Sequence, residues 1–422
     1  MTYYNKKRRR DRDENITLEL SNKNLKARTI AFIMLAALAL TAFGYGLSSL
    51  LSTEKGWREI EANSTSELNC ATEFVFMYNL GASGQSATAE NKAITLVYTD
   101  AVVDGYQLFT NDEGYAGVNN VYYINQHPNE EIVVHEALYK AFSTIEEYGD
   151  RSIYLAPVYT QYDDIFYAGN DFETVDYDPY QNEEVAAYYQ EVASYANNVE
   201  AINVELLGDN TIRLNVSEEY LAYADEKYIT SFIDFAWMKN AFVTDYLADY
   251  MISKGYTLGT ISSYDGFSRS LDDSDNSYSF NIYDKVADSV YGAGIMQYKG
   301  AQSIVFMHNY PINSMDANRF YTMENGEIRS FYLDVLDGKC KSSINNLVSY
   351  SDTHSCAEIL MQMIPVYITD TFEKERLSEL QEKDIYSIFC DEYKIYHNDK
   401  NIGFAQLYNR DGIKYKAEYI NN

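Results

Sequence analysis

Asp234 opens and Asp245 closes the stretch DFAWMKNAFVTD, with Lys239 and Asn240 between them. A carboxylate set inside an apolar run has two uses. It can meet a ligand, or it can satisfy backbone N–H groups at a helix end, and both alternatives stand at this point. The rest of the chain carries few groups in a catalytic spacing. His127, His135, His308, His354 and His397 are dispersed, and there is no His-Glu-x-x-His pair, Cys-x-x-Cys, P-loop, nucleophile elbow or dinucleotide fingerprint. The run DDSDNSYSFNIYD puts Asp273, Asp275 and Asp284 at calcium-loop spacing. It has Tyr278 where such a loop needs glycine, and no closing glutamate, so it reads as an acidic hairpin loop.

The elements that must position these residues are legible from periodicity. Met238, Phe242, Tyr246 and Tyr250 recur every four residues through Phe232–Gly255, which predicts a half-buried helix beginning in an awkward FIDFAW entry. HEALYKAFSTIEEY and NEEVAAYYQEVASYANN predict two more helices. KAITLVYTDAVVDGY is strand-like or the start of a helix. ATEFVFMYNL, YSFNIYDKV, SIVFMHNY and INNLVSYS read as strands, and AINVELLGDNTIRLNVS and RFYTMENGEIRSFYLDVL as hairpins. Further helices are expected from about His354 to Ile364 and from Phe372 to Gln381. Antiparallel hairpins among helices imply an α+β fold rather than a doubly wound parallel sheet.

Residues 29–51 are uncharged and long enough for one bilayer crossing, and basic residues precede them. The expected organisation is a basic cytoplasmic tail over residues 1–28, a transmembrane helix over 29–51, a polar stalk over 52–70, and an extracytoplasmic domain over 71–422. The chain carries a net charge of −30; its first 28 residues hold nine Lys/Arg against four Asp/Glu, so the exported part is near −35. That excludes nucleic acid as a partner and leaves the membrane helix and an extracytoplasmic protein as the expected contacts. The 42 tyrosines can pack as amphipathic core or give contact area to protein or glycan partners. Cys70, Cys340, Cys356 and Cys390 permit disulfides without demanding them; a Cys340–Cys356 bridge would close a short loop.

Written as Asp234-Phe-Ala-Trp-Met-Lys-Asn240-Ala-Phe-Val-Thr-Asp245, the opening stretch resembles the Asp-Leu-Gly-Gly-x-x-Lys-Gly-Tyr-x-x-Asp motif of the FAD:protein FMN transferases, the ApbE family. Further likenesses follow in the family's order. INSM with Arg319 resembles its Thr-Ser-Gly segment, and FYLDVLDGK its His-x-x-Asp-Pro-x-Thr-Gly strand. CAEILMQMI resembles its Ala-Asp-x-x-x-Thr metal helix, while GVNNVYYIN and IYLAPVYTQYDDIF fall where its first half carries an Asn-containing segment. The resemblance spans about Cys70 to Phe404. It implies an ApbE-like, T-fold-like arrangement of antiparallel sheets with packed helices, with FAD or FMN and magnesium as ligands. Candidate flavin-binding residues are then Asp234, Asn240, Asp245, Gly266, Ser314, Asp334 and Gly338, and candidate metal residues Ala357, Glu358 and Gln362.

The departures from the family's pattern bear on activity. Its lysine falls on Asn240, and Lys239, one residue away, is expected to point about 100° off on a helix. Its two glycines fall on Ala236 and Trp237. Its histidine falls on Phe331, which cannot move a proton, and a positioned acid–base group is worth about 10²–10⁴-fold. Its metal-helix Asp and Thr fall on Glu358 and Gln362. The resemblance therefore implies a degenerate, non-catalytic homologue acting in binding or as a scaffold. The alternatives are an active diverged transferase placing FMN on Ser/Thr of an exported flavoprotein, and a flavin or nucleotide receptor without chemistry.

Overall fold

The computed structural model describes residues 53–63, 72–272, 274, 276–314, 317–410 and 412–420. The expected transmembrane segment, Cys70, Asp273, Asp275 and Met315 lie outside them. Among the described residues no helix is long and apolar enough to cross a membrane.

Nine strands form the central sheet in the order Gly56–Glu59, Phe74–Leu80, Gly259–Ser263, Phe267–Ser270, Gln302–His308, Asn346–Ser351, Tyr386–Asp391, Lys394–His397 and Lys416–Tyr419. All neighbours pair antiparallel except the last two. The fold is thus α+β, as expected. Residues 56–59, in the segment expected to be a stalk, form the sheet's edge.

The strand side chains alternate between two cores, as the pleat requires. Val305, Met307, Leu347 and Phe389 face a large core beneath the helices Ala87–Phe109, Lys239–Ser253 and Cys356–Tyr367. Ile304, Phe306, Val348 and Ile388 face a smaller one, closed by the hairpin Ser277–Val286/Ser289–Lys299 and the strand Gly403–Leu407. A separate three-stranded sheet joins Glu131–Val133 to the expected hairpin Ile202–Gly208/Thr211–Val216.

KAITLVYTDAVVDGY is helical throughout, with Ile94, Tyr98, Ala101, Val102 and Phe109 buried on one side. The expected helix at Phe232 starts later. Ala236–Met238 makes a 3₁₀ turn, and regular helix runs from Lys239 to Ser253. Cys340, Cys356 and Cys390 are buried free thiols, so the Cys340–Cys356 bridge does not form. Cys356 starts a helix on the central sheet, whereas Cys340 carries its carbonyl to the Tyr180 hydroxyl. Asp284 is buried and accepts from the Tyr415 hydroxyl at 3.0 Å, so it serves the core.

Gly266 occupies the turn between two sheet strands with φ +105, and its carbonyl accepts from the Phe306 N–H at 2.8 Å. A Cβ there would stand 2.2 Å from the Phe306 carbonyl oxygen. We expect Gly266→Ala to cost at least about 2 kcal/mol, read as a lowered urea midpoint with unchanged slope.

Candidate functional site

A cleft of about 390 Å³ opens where the Phe232–Lys239 entry segment meets the end of the Ala87–Phe109 helix, the Tyr159–Tyr167 region, Arg319 and Phe331. Its charged lining consists of Glu73, Asp112, Asp163 and Asp234 against Lys239 and Arg319. Lys239 was expected to turn away from the position of Asn240. Both line the cleft, and Lys239 has helical φ −47 and ψ −47 at the start of the helix. Lys239 forms no ion pair among the described residues.

The entry segment is held by amides rather than by regular structure. The Asn125 Oδ1 accepts from the N–H groups of Phe232 and Ile233 at 2.8 and 2.9 Å, and its Nδ2 donates to the Ile233 carbonyl at 2.8 Å. Asn125 therefore pairs with this backbone as a neighbouring strand would. Its Nδ2 also donates to the Asn111 Oδ1 at 2.6 Å, and Asn111 in turn donates to Asp234 at 3.2 Å. Asp234 accepts from the Ala236 N–H at 2.8 Å. Burial pushes the Asp234 carboxyl up; the Ala236 N–H, the Asn111 amide and Lys239 work against that rise. Ala236, at a family glycine position, keeps a left-handed φ of +43, a conformation glycine takes without strain.

Asn240 closes the cleft floor. Its Nδ2 donates to Glu73 Oε2 at 2.8 Å and to Asp265 Oδ2 at 2.9 Å. Two carboxylates accept only, so the orientation of the amide is fixed by its surroundings. Asn240 Oδ1 and Asp265 Oδ1 are buried and lack a donor. Arg319 pairs with Asp265 at 2.8 Å and lies 5.3 Å over the Phe331 ring. Trp237 donates to the Tyr159 hydroxyl at 3.3 Å and packs edge-on against Tyr332. The indole thus stands in the wall, and the space beside it stays open.

Of the other sequence candidates, none lines this cleft. Asp245 accepts from the N–H groups of Cys356 and Ala357 at 3.0 and 2.8 Å, and Arg269 lies 3.3 Å away. It anchors the start of the Cys356–Tyr367 helix, where anions are favoured. Asp334 accepts from the Leu336 N–H and from Lys341, and Gly338 takes φ +68 against Tyr189; both shape a turn remote from the cleft. Gly266 lines a groove on the sheet's other face, and Ser314 is exposed in a loop.

The expected metal set does not fit magnesium. Ala357 has no side-chain ligand atom and gives its N–H to Asp245, and Glu358 folds back onto the Ser355 N–H at 2.7 Å in a capping box. The Gln362 Nε2 bonds the Glu358 carbonyl, so the set offers the capping carboxylate of Glu358 and the neutral Gln362 Oε1, a poor match for magnesium, which favours uncommitted carboxylates in an octahedron. Among the described residues no cluster of three His, Cys, Asp or Glu could hold a metal ion.

Sequence reasoning singled out neither Glu73 nor Asp265. Asn125, Tyr159 and Asp163 sat inside quoted segments, unassigned. Asp163 stands at the cleft's open rim, yet its carboxyl is pushed up to about 6, first by the low-dielectric wall and then by Asp234, with Arg319 opposing. It is neutral below that pH and charged above. As the native pKa lies above the unfolded one, its contribution to stability is present at low pH and lost as pH rises toward 6. We expect a carboxyl ¹³C titration to place Asp163 near pH 6, and Asp234→Asn to lower that midpoint.

No family model matches the chain, and no curated protein does. Solved structures do. A crystal structure of the ApbE protein from Thermotoga maritima aligns with a TM-score of 0.53 at 11% identity, over 83% of this chain and 97% of that one. The flavin transferase ApbE from Vibrio cholerae aligns with a TM-score of 0.53 at 11% identity, over 85% of this chain and 99% of that one. With the antiparallel sheets and cleft described above, this likeness gives the chain the fold of the ApbE flavin transferases in a divergent form.

Proposed function

We propose that the chain is a non-catalytic binding protein on the flavin-transferase fold, whose cleft takes a flavin without its phosphates. The observation that carries this reading is the Asn240 amide. Its N–H₂ group is spent on Glu73 and Asp265, and its oxygen is left asking for a donor. Where the family's motif lysine would meet phosphate, this chain presents acceptors. Four carboxylates against two cations make the lining hostile to a pyrophosphate, while Trp237, Tyr159 and Phe331 offer ring faces and edges. Flavin ring N–H and ribityl hydroxyls are donors of the missing kind.

The transfer reaction lacks its parts in this reading. Phe331 supplies no proton, and Glu358 and Gln362 are committed within their own helix. An open polar cleft favours binding over a packed scaffold role. The protein is anchored by residues 29–51 with this domain outside the membrane, beside an extracytoplasmic protein partner. A second reading, an active diverged transferase, is favoured by Lys239 and Arg319 on the cleft wall.

The two readings part in one assay. The full-length chain is incubated with FAD, magnesium and a Ser/Thr-bearing acceptor protein; we expect no covalent in-gel flavin fluorescence, and its appearance establishes the transferase. Equilibrium titration should show riboflavin binding at least as tightly as FAD. Asn240→Lys, which restores a cation between Glu73 and Asp265, should tighten FAD by about tenfold, equivalent to about 1.4 kcal/mol. Protease added outside intact cells should degrade residues 71–422; protection of the domain would contradict the topology.

A further inference from the structure

The opposite face of the central sheet carries a second opening, a groove of about 490 Å³ between the sheet and the Ser277–Val286 hairpin. That volume lies within the range of small-ligand clefts. Two features set it apart. In a chain of net charge −30, no Asp, Glu, Lys or Arg is found among the described residues that line it. And the sheet floor is built from hydroxyls. A face covered by a second layer ordinarily carries branched aliphatic or aromatic residues, and here Thr260, Ser262 and Ser268 stand beside Met77 and Phe306.

Those hydroxyls keep spare capacity. Ser262 and Ser268 share a single hydrogen bond at 2.7 Å, and each hydroxyl can make up to three. Ser279, on the hairpin strand that lines the groove, is exposed. The groove's rim is aromatic. Trp57 is 41% exposed and Tyr264 36% exposed. The Trp57 ring is braced edge-on against Tyr278 at 5.7 Å, and Tyr278 stacks on Tyr298 at 5.8 Å. Rings fixed in this way present their faces without losing rotamer freedom on binding.

We propose that this groove binds a neutral saccharide. A pyranose offers C–H faces to aromatic rings and hydroxyls around its edge to serine and threonine, and it needs no charge. A phosphorylated or otherwise anionic ligand would find no Lys or Arg among the described residues of the groove, where His308 is the one titratable base, and an acidic protein around it. A purely apolar ligand would desolvate the hydroxyl floor and leave its spare hydrogen-bonding capacity unused. This site is separate from the Asn240 cleft, so it stands whatever that cleft binds.

The chain's two tryptophans make the test clean, because Trp57 lines this groove and Trp237 the cleft. The full-length protein is titrated with maltotriose, cellotriose and N,N′,N″-triacetylchitotriose while tryptophan fluorescence is followed, with adenosine as a neutral flat control. We expect a saturable change with at least one saccharide and its loss in Trp57→Phe. Ser279→Arg, at an exposed position that folding tolerates, should weaken binding by about tenfold or more. Absence of a saturable change with all three, survival of the change in Trp57→Phe, binding indifferent to Ser279→Arg, or preference for adenosine would overturn the proposal.

Discussion

Asn240 stands between the carboxylates of Glu73 and Asp265, and a primary amide so placed can turn only its N–H₂ group toward them. Everything else at the cleft follows from that constraint. The two acids are buried or half-buried, and their charge is shared between the amide and Arg319. Burial lowers the intrinsic preference of Arg319 for its charged form, and the acids more than restore it, so the guanidinium stays charged and paired. A ligand phosphate entering here would have to draw Arg319 away from Asp265. It would do so beside Asp163 and Asp234, with Lys239 as a cation on the cleft wall that forms no ion pair among the described residues.

The backbone that frames this arrangement is fixed from outside the cleft. Asn125 satisfies three main-chain groups of Phe232 and Ile233, so the entry segment stays extended until Asp234 accepts the Ala236 N–H. The helix after it is then held by Asp245, whose carboxylate joins it to the start of the Cys356–Tyr367 helix. The two aspartates thus divide the work: Asp234 shapes the cleft, and Asp245 locks two helices together over the large core. Buried carboxylates with several backbone donors earn their place through such joints, since removing one partner leaves the rest unpaired.

Much of this architecture was legible in the sequence where packing is periodic. The strand FVFMYNL buries alternate residues, and the helix HEALYKAFSTIEEY buries Leu138, Ala141, Phe142 and Ile145 at helical spacing, with Tyr148 half-buried. The strand Ser289–Lys299 was not legible, because Gly292 and Gly294 break its alternation; Gly294 is there since a Cβ would crowd the Gln406 carbonyl at 3.0 Å. The edge strand at Trp57 was hidden in a polar run, as edges are solvated on one side. The site was half legible. Asp234 and Asn240 could be named from motif spacing, but their partners Glu73 and Asp265 lie far from them in sequence and carry no local signal.

The central proposal is that the floor at Asn240 presents hydrogen-bond acceptors and does not take a phosphate. The most direct measurement is a crystal structure of the protein grown with FAD and magnesium. The account predicts no pyrophosphate beside Asn240, and a flavin ring, where one is seated, lying against the Trp237–Phe331 wall. A dinucleotide with its pyrophosphate between residues 240 and 319 and a divalent ion at Glu358 would contradict it.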